Sequence, residues 1–425
     1  MEEKVQACPQ CGTEIRSDSR FVTWCAACDW NVDPARPEEQ PGRLERLRRG
    51  LARRHGAKLL EDVTAAGGEL RPHRDAASFV AYGIALVVHG VTVALLAGGV
   101  LLAVVGWGTA LPVAGAFLLG LAWILRPRFG RLPDEAPVLR RAQAPDLFAL
   151  IDEVAAVAGT RGVDAVVVTP EVNASVTTYG IRQRRLLHLG LGLWEVLSPQ
   201  QRIALLGHEL GHYANGDTRH GVIIANALRS LDTWRYLVAP VQDTSAVGTL
   251  LNMAYLLPRG LLIGVQMLLD RLTLRAAQRA EYLADALAAK AGSSEAAVGL
   301  MDRLLVADSV GSFLLREANA RQVSRSGARE RGQDAAHGLW DRLAAYVESI
   351  PQGEYERLRR VGVLRGHGVD STHPPTHLRR ACLLTAAAAP ARVVTDEIRA
   401  KAIGTELAEA REKAARRVLR GSWFS

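Results

Sequence analysis

This chain is short of cysteine and of aromatic residues, and each shortage narrows what it can be. Only five of its 425 residues are cysteine, and nothing in it resembles a cleavable signal peptide, which excludes a secreted scaffold built on disulfides. Aromatic side chains make up 5% of the chain, a thin supply for a stacking platform that holds nucleic-acid bases. The formal charge is +8 and arginine dominates it, but the arginines are scattered or flank apolar runs. Phe21, Trp24 and Trp30 are available near the N-terminus, yet the charge around them is mixed, so no nucleic-acid partner is expected. A membrane accounts better for basic residues that border apolar stretches.

Four of the five cysteines form two knuckles, Cys8-Pro9-Gln10-Cys11 and Cys25-Ala26-Ala27-Cys28. Two Cys-x-x-Cys pairs at this separation read as a tetrathiolate zinc ribbon, and Gly12 permits the tight turn after the first. The alternative, two disulfides, needs an oxidising compartment. So short a segment cannot bury a core of its own, so metal binding would supply its folding energy. A closed four-thiolate shell leaves no position for water, which makes this metal structural or regulatory; a protein partner is a candidate occupant of the ribbon's surface. Cys382 stands alone in apolar surroundings and reads as packed.

Two long apolar runs follow. Phe79 to Val105 and Trp107 to Leu125 are each about the length that crosses a bilayer, and Gly106-Trp107-Gly108-Thr109 between them is a turn. Arg71 and Arg74 precede the pair, Arg126, Arg128 and Arg131 follow it, and the turn has no basic residue. The reading is a transmembrane helical hairpin in a multi-pass cell-membrane protein, with the lipid bilayer as a partner and both flanks in the cytoplasm. A buried soluble hairpin is the alternative. His89, inside the first run, reads as a helix-packing contact or a functional group.

Elsewhere the pattern is mostly α with a small β-sheet. Asp33 to Gln40 reads as a linker and Arg43 to His55 as a basic helix near anionic lipid. Asp146 to Ala158 is helical, and Val163 to Val168 and Arg184 to Gly190 read as strands. Val222 to Ala239 and Val247 to Leu269, the latter interrupted by Pro258 and Arg259, suggest a helical hairpin that partly contacts membrane. Ala318 to Ala336 reads as a mobile loop, and the tail after Thr395 as helix. The division is a ribbon over 1–32, a linker and basic helix over 33–75, the hairpin over 76–130, a catalytic domain over 131–395 and a helical tail over 396–425.

The chemistry concentrates in His208-Glu209-Leu210-Gly211-His212. Ser198-Pro199 starts a helix, Ile203, Leu206 and Leu210 give it a buried stripe, and Asn215-Gly216-Asp217 ends it. On that helix two imidazoles four residues apart can grip one Zn²⁺ from one side, with Glu209 beside the open position as base for a metal-bound water. A third ligand is needed. Glu281 and Asp285 lie four apart in an Ala- and Leu-rich helical run, where Glu281 could complete the set and Asp285 accept the other ring N–H of a ligating histidine. The alternative has both acids on a solvated face, paired with Arg279 or Lys290. His188 and His220 have no ligand spacing and read as structural.

Taken together, Leu197-Ser198-Pro199 through the His-Glu motif to Asn215-Gly216-Asp217 resembles the HtpX-like and CAAX-prenyl-endopeptidase family of membrane zinc metallopeptidases. Further matches occur in family order: the pair Asn173-Ala174, Glu281 with Asp285, and Ser371-Thr372-His373-Pro374-Pro375 followed by Arg379. Ser175 departs from it, since a Phe commonly follows the Asn-Ala pair. The resemblance implies a gluzincin-like fold over about residues 144–384, a catalytic zinc held by His208, His212 and Glu281, and protein or peptide substrates bound near Asn173 and Ala174. It also implies a quality-control role on membrane or misfolded proteins. His373 and Arg379 become candidate catalytic donors to the oxyanion; alternatively Arg379 pairs with Asp285, and His373 caps the next helix. The rival for the whole chain is a catalytically silent adaptor that only binds clients.

Overall fold

The computed structural model describes residues 3–34, 76–127, 129–214, 217–242, 245–324, 338–365 and 374–421, with isolated positions at 56, 58, 60–62 and 336. The expected helix Arg43–His55, the helix end at Asn215-Gly216 and His373 lie outside the described residues, as do the side chains of Asp217 and His220.

A two-stranded antiparallel ribbon opens the chain, β1 (Glu3–Ala7) and β2 (Glu14–Asp18). Two apolar helices follow, α1 (Ala76–Val105) and α2 (Leu111–Leu125). The main body has one four-stranded sheet of β3 (Val138–Leu139), β4 (Ala165–Thr169), β5 (Ala174–Tyr179) and β6 (Arg184–Gly190), in the order β3-β4-β6-β5. β4 and β6 are parallel, and β5 is an antiparallel edge strand. The β-branched run Val166-Val167-Val168 is fully buried, as befits a strand covered on both faces.

The rest of the body is helical, with α3 (Pro145–Ala158), the short α4 (Leu191–Trp194), α5 (Pro199–Ala214), which packs against β5, α6 (Asp217–Leu237), α7 (Ala246–Ala254), α8 (Leu256–Gly292) and α9 (Ser294–Leu305). After them come α10 (Ala307–Ser324), α11 (Leu339–Glu348), α12 (Gln352–Arg365), α13 (Thr376–Thr385), α14 (Glu397–Glu406) and α15 (Ala408–Arg420). The C-terminal helices join the main core through Ile403, Leu407, Ala414 and Val418. Glu406 also caps α3, accepting the Asp146 and Leu147 backbone N–H groups at 2.7 and 2.9 Å.

Two expectations need correction. The second apolar run is helical only from Leu111, so α2 has 15 residues and spans about 22 Å, short of a hydrocarbon core of about 30 Å. The turn extends because Gly108 takes φ +89°, Thr109 Oγ1 accepts the Leu111 N–H, and Pro112 fixes the helix start. The expected loop Ala318–Ala336 begins as helix, because Val310, Leu314 and Ala318 form a buried stripe at four-residue spacing that carries α10 on to Ser324.

Among the described residues α1 is the one helix long and apolar enough by itself to cross a membrane; α7 and α8 meet that requirement only as one segment bent by 41°. The bend falls where Pro258 occupies the first turn of α8. Ala81, Ala85 and Val88 of α1 bury against Ala227, Leu231 and Trp234 of α6 and Leu269 of α8, and His89 Nε2 lies 3.1 Å from the Ile223 carbonyl. Residues of the opposite face, such as Val87 and Val104, stand exposed.

Candidate metal centre

The helix α5 carries the His-Glu motif and starts with a reciprocal cap: Ser198 Oγ accepts the Gln201 backbone N–H, and Gln201 Oε1 accepts that of Ser198. Ile203, Leu206 and Leu210 are fully buried, as their spacing requires. The opposite contact is with α8, and small residues make it close. A Cβ on Gly207 would lie 3.0 Å from Ala288 Cα, and one on Gly211 3.0 Å from Ala284 Cα. This seam brings Glu281 and Asp285, one helical turn apart on α8, to the two histidines of α5. Both acids are buried, so the alternative of a solvated face does not apply.

The three donor groups converge. His208 Nε2 and His212 Nε2 are 3.3 Å apart, and each is 3.6 Å from a Glu281 carboxylate oxygen. A tetrahedral zinc with bonds of about 2.0–2.1 Å requires donor atoms about 3.3 Å apart, so two imidazoles and one carboxylate at this spacing fit that ion. Their rings meet edge to face at 88°, so two lone pairs are directed toward one point rather than stacked past each other.

A second layer holds the first. Asp285 Oδ1 lies 3.0 Å from His208 Nδ1, so the ring donates there and keeps Nε2 as the bare nitrogen. Arg379, on α13, donates through Nη2 and Nε to the same carboxylate at 2.6 and 2.8 Å, and its Nη1 lies 3.4 Å from Glu281 Oε2. Burial alone would raise the Asp285 carboxyl, but the Arg379 charge beside it outweighs burial and holds it below the usual range. For His208, burial and Arg379 disfavour a positive ring while Asp285 favours it, and the net direction is upward. Of the two readings for Arg379, the geometry matches the pairing with Asp285: the guanidinium is buried and serves the ligands rather than facing open space.

Glu209 follows His208 on α5 and is buried with it. The edge strand β5 lies against the same helix, tied by the Tyr213 hydroxyl donating to the Thr177 carbonyl. Asn173 sits at its start, where its Oδ1 accepts the Ala174 N–H at 2.9 Å and its carbonyl accepts the Gly190 N–H at 3.0 Å. Ala174 itself turns into the core, so this pair fixes the strand end and β5 presents its edge. His188 on β6 contacts Thr177 Oγ1 at 3.3 Å, and burial lowers its pKa. Tyr213 went unnoticed in the sequence; its place one residue past His212 was the available signal.

The four ribbon cysteines also cluster. Cys8 and Cys28 Sγ are 3.7 Å apart, Cys11 and Cys25 Sγ 3.6 Å, close to the separation of about 3.8 Å for thiolates on one tetrahedral zinc. The Gln10 backbone N–H points at Cys8 Sγ at 3.4 Å, and Gly12 takes φ +75° to turn the knuckle. Hydrogen bonds with the Thr13 side chain and backbone draw the exposed Cys11 thiol down to about 6.

A short sheet with an antiparallel edge strand, a helix bearing His-x-x-x-His, and a carboxylate from a second helix define a metallopeptidase. The chain belongs to peptidase family M48, whose model matches residues 141–387. No curated protein and no solved structure matches it.

Proposed function

We propose that this protein is a membrane-anchored zinc endopeptidase that hydrolyses peptide bonds on the cytoplasmic side. The observation that carries the reading is the convergence of His208, His212 and Glu281 at 3.3–3.6 Å with Glu209 adjacent on the same helix. Zinc held by these residues would supply a water of near-neutral pKa and would polarise the scissile carbonyl. Glu209 takes the proton from the attacking water and delivers it to the departing amine. His208, His212 and Glu281 are the ligands, and Asp285 orients His208. Arg379 holds Asp285 in place, which makes it a positioning residue, while His373 is retained as the donor to the oxyanion. The substrate main chain adds to the free edge of β5 near Asn173 and Ala174. Cys8, Cys11, Cys25 and Cys28 hold a second, structural zinc.

Membrane attachment rests on α1 and its exposed apolar face, with α2 folded back on it and α7–α8 contacting lipid. Basic residues on both flanks favour the cytoplasmic side for the ribbon and the catalytic domain, with the short α2 and the extended turn before it together returning the chain. Protein quality control is the role that suits an endopeptidase so placed. Cysteines introduced near Gly50 and Gly159 label from the same side under this topology, and labelling from opposite sides contradicts it. For the chemistry, the full chain in detergent is expected to cleave casein, to lose that activity to a zinc chelator and to regain it with added zinc. Cleavage that persists in metal-free protein contradicts the proposal, and so does an enzyme restored by no metal.

A further inference from the structure

The ribbon is joined to the catalytic body along α12, through a row of arginines. Arg357 Nη1 donates to the Val32 carbonyl at 2.8 Å from a buried position, where Glu354 holds its other nitrogens at 2.7 Å. Arg360 donates to the Ala26 carbonyl and to Asp29 at 2.7 and 2.6 Å, and its guanidinium lies over the Trp24 ring. Arg365 pairs with Asp33 at 2.7 Å. From the ribbon side, Arg20 Nη2 reaches back to the Ser349 carbonyl at 3.0 Å, and Phe21 packs against the main core.

Three of these acceptors belong to the second knuckle or the turns after it. Ala26 lies between Cys25 and Cys28, Asp29 follows Cys28 with φ +59°, and Val32 closes the loop by donating its N–H to the Asp29 carbonyl. Their positions depend on the fold of the knuckle, and four thiols with so small a core around them hold that fold only through metal.

The opposite face of α12 leads to the catalytic centre. Arg359 donates to Asp302 of α9 at 3.0 Å, and Arg380 of α13 donates to the same oxygen at 2.8 Å. Asp302 thus bridges α12 to α13. The two helices also approach closely, since a Cβ on Gly362 would lie 3.1 Å from His377 Nδ1. The residue beside Arg380 is Arg379, whose carboxylate partner Asp285 orients His208.

We infer that the zinc ribbon is an intramolecular clamp. With its metal bound it fixes α12, and through Asp302 it fixes α13 and hence Arg379 behind the ligand set. Cys8 and Cys25 are buried, but Cys11 is exposed and Cys28 half-buried, so a chelator can reach the ribbon metal from the Cys11 side; in the catalytic set His208 and Glu281 are buried and His212 is half-buried. The occupancy of the ribbon therefore sets how firmly the catalytic centre holds its own metal. This inference rests on the reading of His208, His212 and Glu281 as zinc ligands.

The test uses the full chain in detergent, with hydrogen exchange over residues 352–365 and 376–385 and the rate of zinc release to a chelator as readouts. Two variants are compared, Cys8→Ser/Cys11→Ser and Arg360→Ala/Arg365→Ala; the second spares every cysteine and the buried Glu354–Arg357 pair, so it decides the matter if the first does not fold. Each variant is expected to raise exchange in both helices by about fivefold or more. Catalytic zinc should leave faster by a similar factor, while α3 stays protected. The combined variant should be little worse than either alone, because both act through one interface. In active enzyme the loss falls on kcat with KM unchanged. Exchange that rises only within residues 3–34 overturns the clamp, as does an unaltered rate of catalytic zinc release or full additivity. These readouts need no turnover. Coupling in a protein that cleaves nothing would keep the clamp and sink the peptidase reading, and active enzyme without coupling would do the reverse.

Discussion

Replacing Asp285 with Asn isolates what the layer behind the metal does. The side chain keeps its shape, and its oxygen can still accept from His208 Nδ1, now 3.0 Å away, but the negative charge is gone. Arg379 Nη2 can still donate to that oxygen, 2.6 Å away, but its Nε, 2.8 Å from the other, now meets an NH2 group, and its nearest remaining carboxylate is Glu281 at 3.4 Å. A buried guanidinium without its carboxylate costs about 3–5 kcal/mol. It would also draw Glu281 away from the histidines. Loss of a second-layer carboxylate commonly lowers metal affinity 10–100-fold, about 1.4–2.8 kcal/mol. Asp285→Asn should therefore lose both thermal stability and zinc affinity, read by calorimetry and by chelator competition. Adding Arg379→Met removes the stranded charge, so most of the stability should return while zinc affinity stays low. If the single variant binds zinc within threefold of the parent, or if the double variant restores both quantities, the carboxylate only packs and the assignment fails.

Two other perturbations probe different links. Gly211→Ala puts a methyl 3.0 Å from Ala284 Cα and 3.2 Å from Leu287 Cδ1, forcing α5 and α8 apart by a few tenths of an ångström. It should cost about 1–3 kcal/mol and weaken metal binding, and an unchanged zinc affinity would show that the seam does not set the ligand spacing. His377 is half-buried between α12 and α13, and burial lowers its pKa below the ordinary 6.5. The unfolded chain then binds the proton more readily than the folded one, so stability falls as pH drops below about 6.5 and levels off below the folded value. His377→Leu should flatten that acid-side loss, as followed by Tm between pH 7 and 5, and an unaltered slope would remove His377 as its source.

Much of the site was legible because its signals are local. Ser198-Pro199, the stripe Ile203-Leu206-Leu210 and the two histidines all lie on one helix, so spacing alone gives their geometry. β6 runs over Arg184–Gly190 as its composition indicates. Glu281 needed the family resemblance, since a carboxylate on a helix is ordinarily solvated, and only the glycine seam of α5 against α8 buries it. The edge strand β5 escaped notice because Ala174–Tyr179 is short and polar, and its register comes from β6 rather than from its own pattern. The length of α2 depended on a turn conformation that apolar composition does not encode. Least visible was the docking of the ribbon: Arg357, Arg360 and Arg365 look like a solvated face until Val32, Ala26 and Asp33 are found against them.

The central claim is that His208, His212 and Glu281 hold a zinc for which Glu209 serves as the base. Glu209→Gln tests it most directly, since the change removes a proton acceptor and no ligand. Zinc content and cleavage of casein are measured on the same purified full-length protein. The expected result is unchanged zinc content with turnover reduced by at least about two to four decades, the range for a lost general base. Cleavage at the parent rate by fully zinc-loaded Glu209→Gln protein, free of contaminating protease, would contradict the account.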